Sequence, residues 1–559
     1  MITHKSPISC VSSLYKKYII TAGYDNQVIL WDIKNGKSVS RGFHDHLANQ
    51  CEFSPCGKYA VSTSSDYSSR IWHVPSMKLA AVLFGHTDDV EGVAFHPYKQ
   101  LIATCSRDKT ICIFDYNGSL LSRLHGHTAD VISITWEKND DVVISSSDDG
   151  TIKKWDVETG AILRNIDLGG AETDTVVVLD NGVILAGNDN GEIIIIEEGS
   201  IKPIKAHEAG IKRLVYDRKT DVVISLSYDR RVNIWMLSNA NLELIVSSSL
   251  PETVWPRSCT VYDEGKIAFS TFGDRYATFD YKLNNWEFNK VENTFGLNAS
   301  YSVGDIIYRV GDSGIVSDSL GEKYALGSLC NFIIEYEGLI VTGGQTGVIF
   351  DALNKLSVYQ HRSPLNCAAI FETNEGKRLI VGSYTGEGII LSKDINGFLK
   401  FENTVKLHDN AIKGLAAFGK EVFSVCADTS VTFYNAEKKE IVKSIKNAHD
   451  KIANGCAYDG RGGFVSISRD LNLYIWTDMT AEKIRTPSEN SIKCISVSFC
   501  SNYICIGNYT GWVGVYDRTE RKWILWCRES ASGISSLHYN KYLGFVATSY
   551  DGSINYISI

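Results

Sequence analysis

The stretch "HTADVISITWEKNDDVVISSSDDGTIKKWD", His127–Asp156, decides the fold of this chain. It contains a histidine, two short runs rich in β-branched residues, an Asp-Asp-Gly turn and a closing tryptophan–aspartate pair. Such runs, separated by turn residues, are typical of short β-strands, and no helical period competes with them. The histidine lies 28 residues before Trp155, and the turn residue Asp149 lies six residues before it. These two intervals can be searched for in the rest of the chain.

The same intervals recur along the sequence. From the histidine to the closing aromatic residue the interval is 28 residues in four copies and 27 in two, and from the turn aspartate it is six in all of them. An internal period of this length indicates a repeat architecture. The residues that share the spacing are His4, Asp25 and Trp31; His44, Asp66 and Trp72; His86, Asp108 and Phe114; His127, Asp149 and Trp155; His207, Asp229 and Trp235; and His449, Asp470 and Trp476.

Weaker copies occupy the rest of the chain and bring the count to fourteen units of roughly 40 residues. The segments "GHTDDVEGVAFHP" (Gly85–Pro97) and "DDGTIKKWD" (Asp148–Asp156) resemble the WD40 repeats of β-propellers. The resemblance implies an all-β fold of four-stranded antiparallel blades. We expect two seven-bladed WD40-type propellers in tandem, at residues 1–285 and 286–559, with the junction in Leu283–Asn293. A six-plus-eight division would also fit the count.

The resemblance also implies a role for the repeated residues. In WD40 propellers the histidine lies in the loop that enters a blade, the aspartate in the turn between the second and third strands, and the tryptophan in the third strand. A serine or threonine of the second strand joins them in a hydrogen-bonded network. We therefore expect these residues to be structural rather than catalytic or metal-binding. Eight histidines are assigned this role: His4, His44, His86, His127, His207, His361, His408 and His449.

Closure of the second ring is a separate question, because an unpaired edge strand would be exposed. The chain ends in what the pattern predicts to be the third strand of blade fourteen. We expect "WEFNKVE", Trp286–Glu292, to supply the missing outer strand. The alternative is that this segment completes blade seven and leaves a three-stranded blade.

Composition limits the classes of function. The chain has 559 residues and a formal net charge of −9, which argues against a broad nucleic-acid interface. No signal peptide or long apolar segment is visible, so we expect a soluble, cytoplasmic protein with no membrane contact. The fourteen cysteines form no C-x2-C pair. Cys10, Cys51, Cys367 and Cys456 follow repeated histidines on expected strands and are interpreted as core residues.

Catalytic motifs are absent from the sequence. No G-x-S-x-G, G-x4-G-K-[ST] or H-E-x-x-H pattern is present. We therefore expect no enzymatic activity, no cofactor and no metal site.

The remaining candidate function is binding at the surface. The residue before each turn aspartate is expected to point outward, and tyrosine and arginine there are typical of protein interfaces. The loop "LPETVWPRSC", Leu250–Cys259, adds an aromatic–arginine pair held by prolines. The candidate partner-binding residues are Tyr24, Arg107, Tyr228, Trp255, Arg257, Tyr384, Arg469, Tyr509 and Tyr550. Two alternatives are that tyrosine is merely tolerated beside β-turns and that Trp255 packs into the core.

The sequence therefore predicts a non-catalytic interaction scaffold or adaptor subunit of a multiprotein assembly, with one or more proteins or peptides as partners. The alternative is a reader that recognises a modified or specific peptide on the upper face of a propeller. Arg107 and Arg469 would hold a phosphate group, or a tyrosine cage would hold a methylated lysine.

Overall fold

The computed structural model describes residues 2–138, 141–238 and 241–559, and all regular structure in these ranges is β-strand. The chain divides into two compact units, Met1–Thr294 and Phe295–Ile559. The runs of β-branched residues form the strands. Val142–Ser147, for example, is buried at every position, because each sheet packs against a neighbour on both faces.

The first unit holds seven sheets, called blades one to seven, each of four consecutive antiparallel strands. In chain order these are β1–β4 (Ile8–Leu14, Tyr18–Gly23, Gln27–Asp32, Lys37–Phe43), β5–β8 (Ala48–Phe53, Tyr59–Ser64, Ser68–His73, Lys78–Phe84), β9–β12 (Val90–Phe95, Leu101–Ser106, Thr110–Asp115, Leu120–His125), β13–β16 (Val131–Trp136, Val142–Ser147, Thr151–Asp156, Ile162–Asp167), β17–β20 (Thr173–Val178, Ile184–Asn188, Glu192–Glu197, Ser200–Lys205), β21–β24 (Ile211–Asp217, Val222–Ser227, Arg231–Ser238, Asn241–Ser249) and β25–β28 (Val254–Asp263, Lys266–Thr271, Ala277–Asp280, Asn285–Glu287).

The second unit holds blades eight to fourteen, of which the last has three strands. In chain order these are β29–β32 (Leu297–Val303, Ile306–Gly311, Ile315–Ser317, Lys323–Ala325), β33–β36 (Cys330–Tyr336, Leu339–Gly344, Val348–Asp351, Leu356–Gln360), β37–β40 (Leu365–Thr373, Gly376–Ser383, Glu387–Lys393, Leu399–Lys406), β41–β44 (Ile412–Phe418, Glu421–Cys426, Val431–Asn435, Glu440–Ile445), β45–β48 (Ala453–Tyr458, Phe464–Ser468, Asn472–Thr477, Thr480–Arg485), β49–β52 (Ile492–Val497, Tyr503–Asn508, Trp512–Asp517, Lys522–Arg528) and β53–β55 (Ile534–Asn540, Gly544–Ser549, Ile554–Ile557).

The first strand of each blade is the innermost. It contacts the first strands of the blades on either side, and β1 contacts β25 just as β29 contacts β53. Each unit is therefore a closed ring of seven blades. This confirms the predicted fold class: all-β, with two seven-bladed propellers in tandem.

Each ring closes by packing and side-chain hydrogen bonds rather than by a shared strand. In the first unit the backbone N–H of Val11 donates to Ser258 Oγ at 3.1 Å, and Ser13 Oγ donates to the carbonyl of Val261 at 2.6 Å. In the second unit the ring nitrogens of His538 on β53 contact hydroxyl groups on β29. The two contacts are with Ser300 Oγ at 3.1 Å and Ser302 Oγ at 2.6 Å.

The expectation that Trp286–Glu292 completes blade fourteen is wrong. Trp286 lies in β28, which pairs with β27 opposite Phe279. Its indole stacks on the Phe279 ring at a centroid distance of 4.5 Å, so apolar packing holds the strand in blade seven. The units accordingly divide between Thr294 and Phe295, after this strand, rather than between residues 285 and 286.

Candidate functional site

The repeated histidines form hydrogen-bonded networks inside the blades. In blade four His127 Nδ1 lies 2.8 Å from the Asp149 carboxylate and Nε2 lies 2.8 Å from Ser145 Oγ, while the Trp155 indole donates to the same hydroxyl at 2.9 Å. Blades one, two and six repeat this arrangement, and blade three lacks only the indole donor because Phe114 takes its place. These side chains satisfy one another within the fold.

The electrostatic balance differs between blades. Burial lowers the pKa of His44, and this effect outweighs the opposing contact with Asp66. Burial acts in the same direction on His86, but hydrogen bonds with Asp108 and Cys112 outweigh it and raise the pKa to about 9. The carboxylate of Asp108 has its pKa lowered, because the contact with the imidazole outweighs burial. The balance between burial and hydrogen bonding within each blade thus sets the direction in which the pKa of its imidazole shifts.

Blade twelve departs from the pattern. His449 Nε2 lies 3.2 Å from Ser466 Oγ, but its Nδ1 has no hydrogen-bond partner among the described residues. Asp470 instead accepts a hydrogen bond from the Tyr474 hydroxyl at 2.6 Å. The expected His449–Asp470 pair is therefore replaced, because the neighbouring tyrosine reaches the carboxylate. Burial lowers the pKa of His449 to about 4.

Blade eleven contains the one group of side chains in the described ranges with donors close enough to hold a metal ion: His408, Cys426 and Asp428. Ser430 Oγ donates to Asp428 at 2.5 Å and lies 2.8 Å from His408 Nδ1. Because this hydroxyl already donates its proton to the carboxylate, it must accept the Nδ1 proton of the imidazole. That nitrogen is thus occupied, and the group is better described as a network in which a serine bridges histidine and aspartate.

A β-bulge recurs near the start of the first strand in all fourteen blades. A bulge leaves residues unpaired and re-aims their side chains. These bulges lie at the face that also carries the turns between second and third strands, which we call the upper face of each unit. The bulged residues are Ser9, Asn49, Gln50, Glu91, Ile132, Asp174, Lys212 and 255–258 in the first unit, and Asn298, Asn331, Asn366, Lys413, Asn454, Lys493 and Ser535 in the second.

Asparagines in these bulges connect neighbouring blades. Each donates its side-chain N–H to the carbonyl of the residue that begins the first strand of the next blade. The pairs are Asn49 with Val90 at 3.1 Å, Asn298 with Cys330 at 3.1 Å, Asn331 with Leu365 at 2.8 Å, Asn366 with Ile412 at 2.9 Å and Asn454 with Ile492 at 2.6 Å. Sequence analysis did not identify these contacts. The signal was present, however, because each asparagine follows the apolar residue at the start of the first strand of its blade.

Charged side chains meet at the centre of the upper face of the first unit. Arg107 donates to Glu91 at 2.5 Å and to Asp130 at 2.9 Å. Arg257 approaches Glu91 to 3.6 Å. Because Glu91 is in blade three and Arg257 in blade seven, which are not neighbours, this contact crosses the ring. Arg107 is therefore engaged by carboxylates rather than pointing outward as expected.

The same centre contains a second ion-pair group. Lys212 contacts Asp174 and lies 2.8 Å from Asp189, and its ammonium group is 4.7 Å from the ring centroid of Tyr228. Burial raises the pKa of Asp148, and the surrounding carboxylates raise it further. We call the whole set the unit 1 charge cluster. Its members are Asp89, Glu91, Arg107, Asp130, Asp148, Glu172, Asp174, Asp189, Lys212 and Arg257. Seven acidic residues face three basic ones, so the cluster has an excess of carboxyl groups.

Trp255 is not held at the surface by its prolines, and this part of the prediction is corrected. The segment forms the start of β25, and the indole is only 8% exposed. Its ring stacks on Phe272 at a centroid distance of 5.5 Å and meets Tyr24 edge-on at 5.3 Å. Arg257 lies 5.3 Å above the same indole. Trp255 therefore supports Tyr24 and Arg257 from below.

The second unit brings three of its predicted residues together. Tyr509 and Tyr550 stack with their ring centroids 6.5 Å apart, and the Arg469 guanidinium lies 5.7 Å from the Tyr509 ring. Lys493, from a bulge, lies 5.9 Å from the same ring. Tyr384 has its own cation, Lys413 at 4.7 Å. All of these side chains are half-buried. We call these six residues the unit 2 cation–tyrosine cluster.

A separate cavity of about 550 Å³ lies between blades four and five. Its lining includes Glu137, Lys154, Arg164 and Glu197, and it contains none of the predicted partner-binding residues. Lys154 and Glu137 pair with each other at 2.6 Å. The described part of the chain has no helix of the length and hydropathy needed to span a membrane.

Comparison with known proteins identifies repeats in the first unit. Residues 1–32, 37–73, 77–115 and 118–156 match the family model described as "WD domain, G-beta repeat". The chain is similar to the transcriptional corepressor LEUNIG_HOMOLOG of Arabidopsis thaliana, with 24% identity over 41% of this chain and 35% of the relative. It is similar to the target of rapamycin complex subunit wat1 of Schizosaccharomyces pombe, with 23% identity over 40% of this chain and 76% of the relative. It is similar to the COMPASS component SWD3 of Saccharomyces cerevisiae, with 34% identity over 26% of this chain and 47% of the relative.

Proposed function

We propose that this chain, which is a WD40-repeat protein, is a non-catalytic interaction scaffold or adaptor subunit of a multiprotein assembly. The names of its relatives support a role of this kind, since they describe a corepressor, a complex subunit and a complex component. The chain spans about a third of the length of the first relative and three-quarters of the second, so their particular partners are not assigned to it.

The non-catalytic part of the proposal is supported by the use of the histidines. A general base needs an imidazole within reach of a substrate proton. Here the imidazoles of the regular blades use both ring nitrogens within the fold, as His127 does with Asp149 and Ser145. They hold loops and strands together instead.

The observation that carries the proposal is the convergence of aromatic and cationic side chains in the unit 2 cation–tyrosine cluster. Tyr509, Tyr550 and Arg469 come from three successive blades and meet on one face. Tyrosine and arginine contribute most of the binding energy at many protein interfaces. We therefore place the partner-binding surface of the second unit at this cluster.

The sign of the charge indicates what the cluster binds. Arg469, Lys413 and Lys493 place three cations over tyrosine rings. Cations disfavour a methylated lysine and favour a carboxylate or phosphate group. The specific alternative that follows is a reader of acidic or phosphorylated peptides. The unit 1 charge cluster has the opposite sign, because its acidic residues, among them Glu91 and Asp130, outnumber its basic ones.

The scaffold proposal is tested by affinity capture read by mass spectrometry. The double variant Tyr509→Ala/Tyr550→Ala is compared with Tyr98→Ala/Tyr542→Ala, which removes two tyrosines that are 71% and 72% exposed and belong to neither cluster. We expect the first variant to lose specific partners and the second to keep them, with both retaining the thermal stability of the parent chain. Equal partner sets in the two variants would contradict the assignment of this surface.

The reader alternative is tested with a peptide array that contains matched phosphorylated, acidic and unmodified peptides. Binding that requires the phosphate and disappears in Arg469→Gln would favour the reader. Partner capture without any peptide binding would favour the scaffold. We also propose a cytoplasmic location, with no nucleic acid or membrane among the partners. Fluorescence microscopy of the tagged chain tests the location.

A further inference from the structure

Blade fourteen has an open edge. Thirteen of the fourteen sheets have four strands, whereas β55 is the outermost strand of its sheet and pairs with β54 alone within residues 2–138, 141–238 and 241–559. The exposure of its side chains differs accordingly. Tyr556 is 52% exposed, while Val515, at the equivalent position of blade thirteen, is fully buried beneath β52.

An open edge presents unpaired backbone N–H and C=O groups that can pair with another strand. Proteins use such edges for recognition, because an added strand gains main-chain hydrogen bonds while its alternate side chains enter pockets. The chain's own outer strands occupy the equivalent place in the other blades. They therefore define what kind of segment fits beside β55.

The first requirement is an apolar residue near the end of the added strand. In the other blades, the outer-strand residue opposite the second residue of the third strand is usually apolar and covers the blade beneath it. Examples are Leu83, Leu124, Ile166, Ile204, Val405 and Ile484. Leu83, Leu124 and Ile166 are at most 3% exposed. In blade fourteen this position faces Ile554, which is only half-buried.

The second requirement is a hydrogen-bond donor at the last position. In four blades the residue that ends the outer strand donates a side-chain N–H to a backbone carbonyl in the turn between the second and third strands. The acceptor is in each case the second residue of that turn. The pairs are Lys205 with Asn190 at 2.9 Å, Gln360 with Thr346 at 2.6 Å, Lys406 with Thr385 at 2.9 Å and Arg485 with Asp470 at 3.0 Å. Three of the four donors are cationic. The equivalent carbonyl in blade fourteen belongs to Asp551, whose exposed carboxylate adds a negative charge.

We propose that the edge of β55 binds one extended segment of a partner protein, antiparallel to β55 and about six residues long, ending in an aliphatic residue followed by lysine or arginine. Outer strands such as Thr480–Arg485, "TAEKIR", have this form. The inference rests on the proposed function in that it names a class of partner. It uses a different surface from the cation–tyrosine cluster, however, so the two can fail separately.

The probe is a fluorescent peptide with the sequence of residues 478–486, "DMTAEKIRT". Binding to the full chain is measured by anisotropy, and hydrogen exchange locates the protected amides. We expect protection of Ile554–Ile557. Replacing the central glutamate by proline, or the isoleucine by aspartate, should weaken binding at least about tenfold, because these changes remove a main-chain donor or the buried side chain.

A matched pair of variants tests the charge. Asp551→Asn removes the negative charge beside the open edge and keeps one of the two oxygens that accept from Ser530 and Ser553. Asp428→Asn makes the same change in blade eleven, where the edge is covered by β44. We expect Asp551→Asn to weaken peptide binding by up to about fivefold, as for exposed ion pairs, and Asp428→Asn to leave it unchanged.

Four outcomes would overturn the proposal: no binding of the parent peptide, protection away from β55, β55 amides already protected in the free monomer, or a dimer formed through β55 that excludes the peptide. Sedimentation velocity identifies the dimer. Unchanged peptide binding by Tyr509→Ala, combined with loss of captured partners, would separate this site from the cation–tyrosine cluster.

Discussion

Protonation of His538 should weaken the closure of the second ring. This side chain lies on the first strand of blade fourteen and touches two hydroxyl groups on the first strand of blade eight, those of Ser300 and Ser302. Its ring also stacks on Tyr301 at a centroid distance of 6.3 Å. The carbonyl of Gly304 accepts a further hydrogen bond from Asn540 at 3.2 Å across the same junction. The junction is therefore polar, and among the residues that the structure describes no carboxylate contacts the imidazole.

The magnitude follows from the pKa. Burial lowers the pKa of His538 from 6.5 to about 4. Between these values the unfolded chain binds a proton that the folded chain does not, so the free energy of unfolding decreases as the pH falls. At 1.36 kcal/mol per pH unit, the full effect is about 3 kcal/mol, of which about 2 kcal/mol is already lost at pH 5. This loss is present below pH 6.5 and complete near pH 4.

Urea unfolding followed by tryptophan fluorescence at pH 7, 6 and 5 measures this effect. His538→Gln keeps hydrogen-bonding groups near both serines but does not titrate. We expect the decrease in the free energy of unfolding from pH 7 to pH 5 to be about 2 kcal/mol smaller in His538→Gln than in the parent chain. The control is His125→Gln, which removes an exposed histidine. A parent chain and His538→Gln variant with the same pH dependence would refute the reasoning.

Two other predictions concern buried polar groups. Ser145→Ala removes the hydroxyl that accepts the Trp155 indole and contacts His127 Nε2, so the free energy of unfolding measured in urea should fall by about 1–3 kcal/mol; an unchanged midpoint would contradict this. Arg518→Met leaves the carboxylate of Asp459 unpaired in a pair whose side chains are 8% and 3% exposed, and should cost about 3–5 kcal/mol in thermal or urea unfolding. Adding Asp459→Leu should recover most of that loss, and failure to recover it would argue against an uncompensated charge as the cause.

The repeat architecture could be predicted because it is a local property of the chain. The interval of 28 residues from His127 to Trp155 is set by strand length and turn length within one blade, and the same hydrogen bonds appear where the interval is kept. Fourteen such units were visible, and fourteen sheets form. Blade twelve, however, keeps His449, Asp470 and Trp476 but loses the His449–Asp470 hydrogen bond, because Tyr474, which is outside the repeated set, reaches the carboxylate.

Strand assignment at the junction between the units required the structure. The sequence of Trp286–Glu292 is compatible with an outer strand in either of two blades. The choice depends on which apolar ring the indole meets, and Phe279 lies within the same blade. A contact between residues so close in the chain costs less loop-closure entropy than one made across the second unit.

Surface residues were the least predictable part. The positions before the turns were visible in the sequence, yet Arg107 pairs with Glu91 from a bulge and with Asp130, and Trp255 is buried. The bulges direct side chains to the centre of the ring, where residues distant in sequence meet, as Glu91 and Arg257 do. By itself, the sequence determined the number, kind and internal hydrogen bonding of the blades, because these are local. Only the tertiary structure decided which charges meet at each centre and which edge stays open, because both depend on contacts between blades.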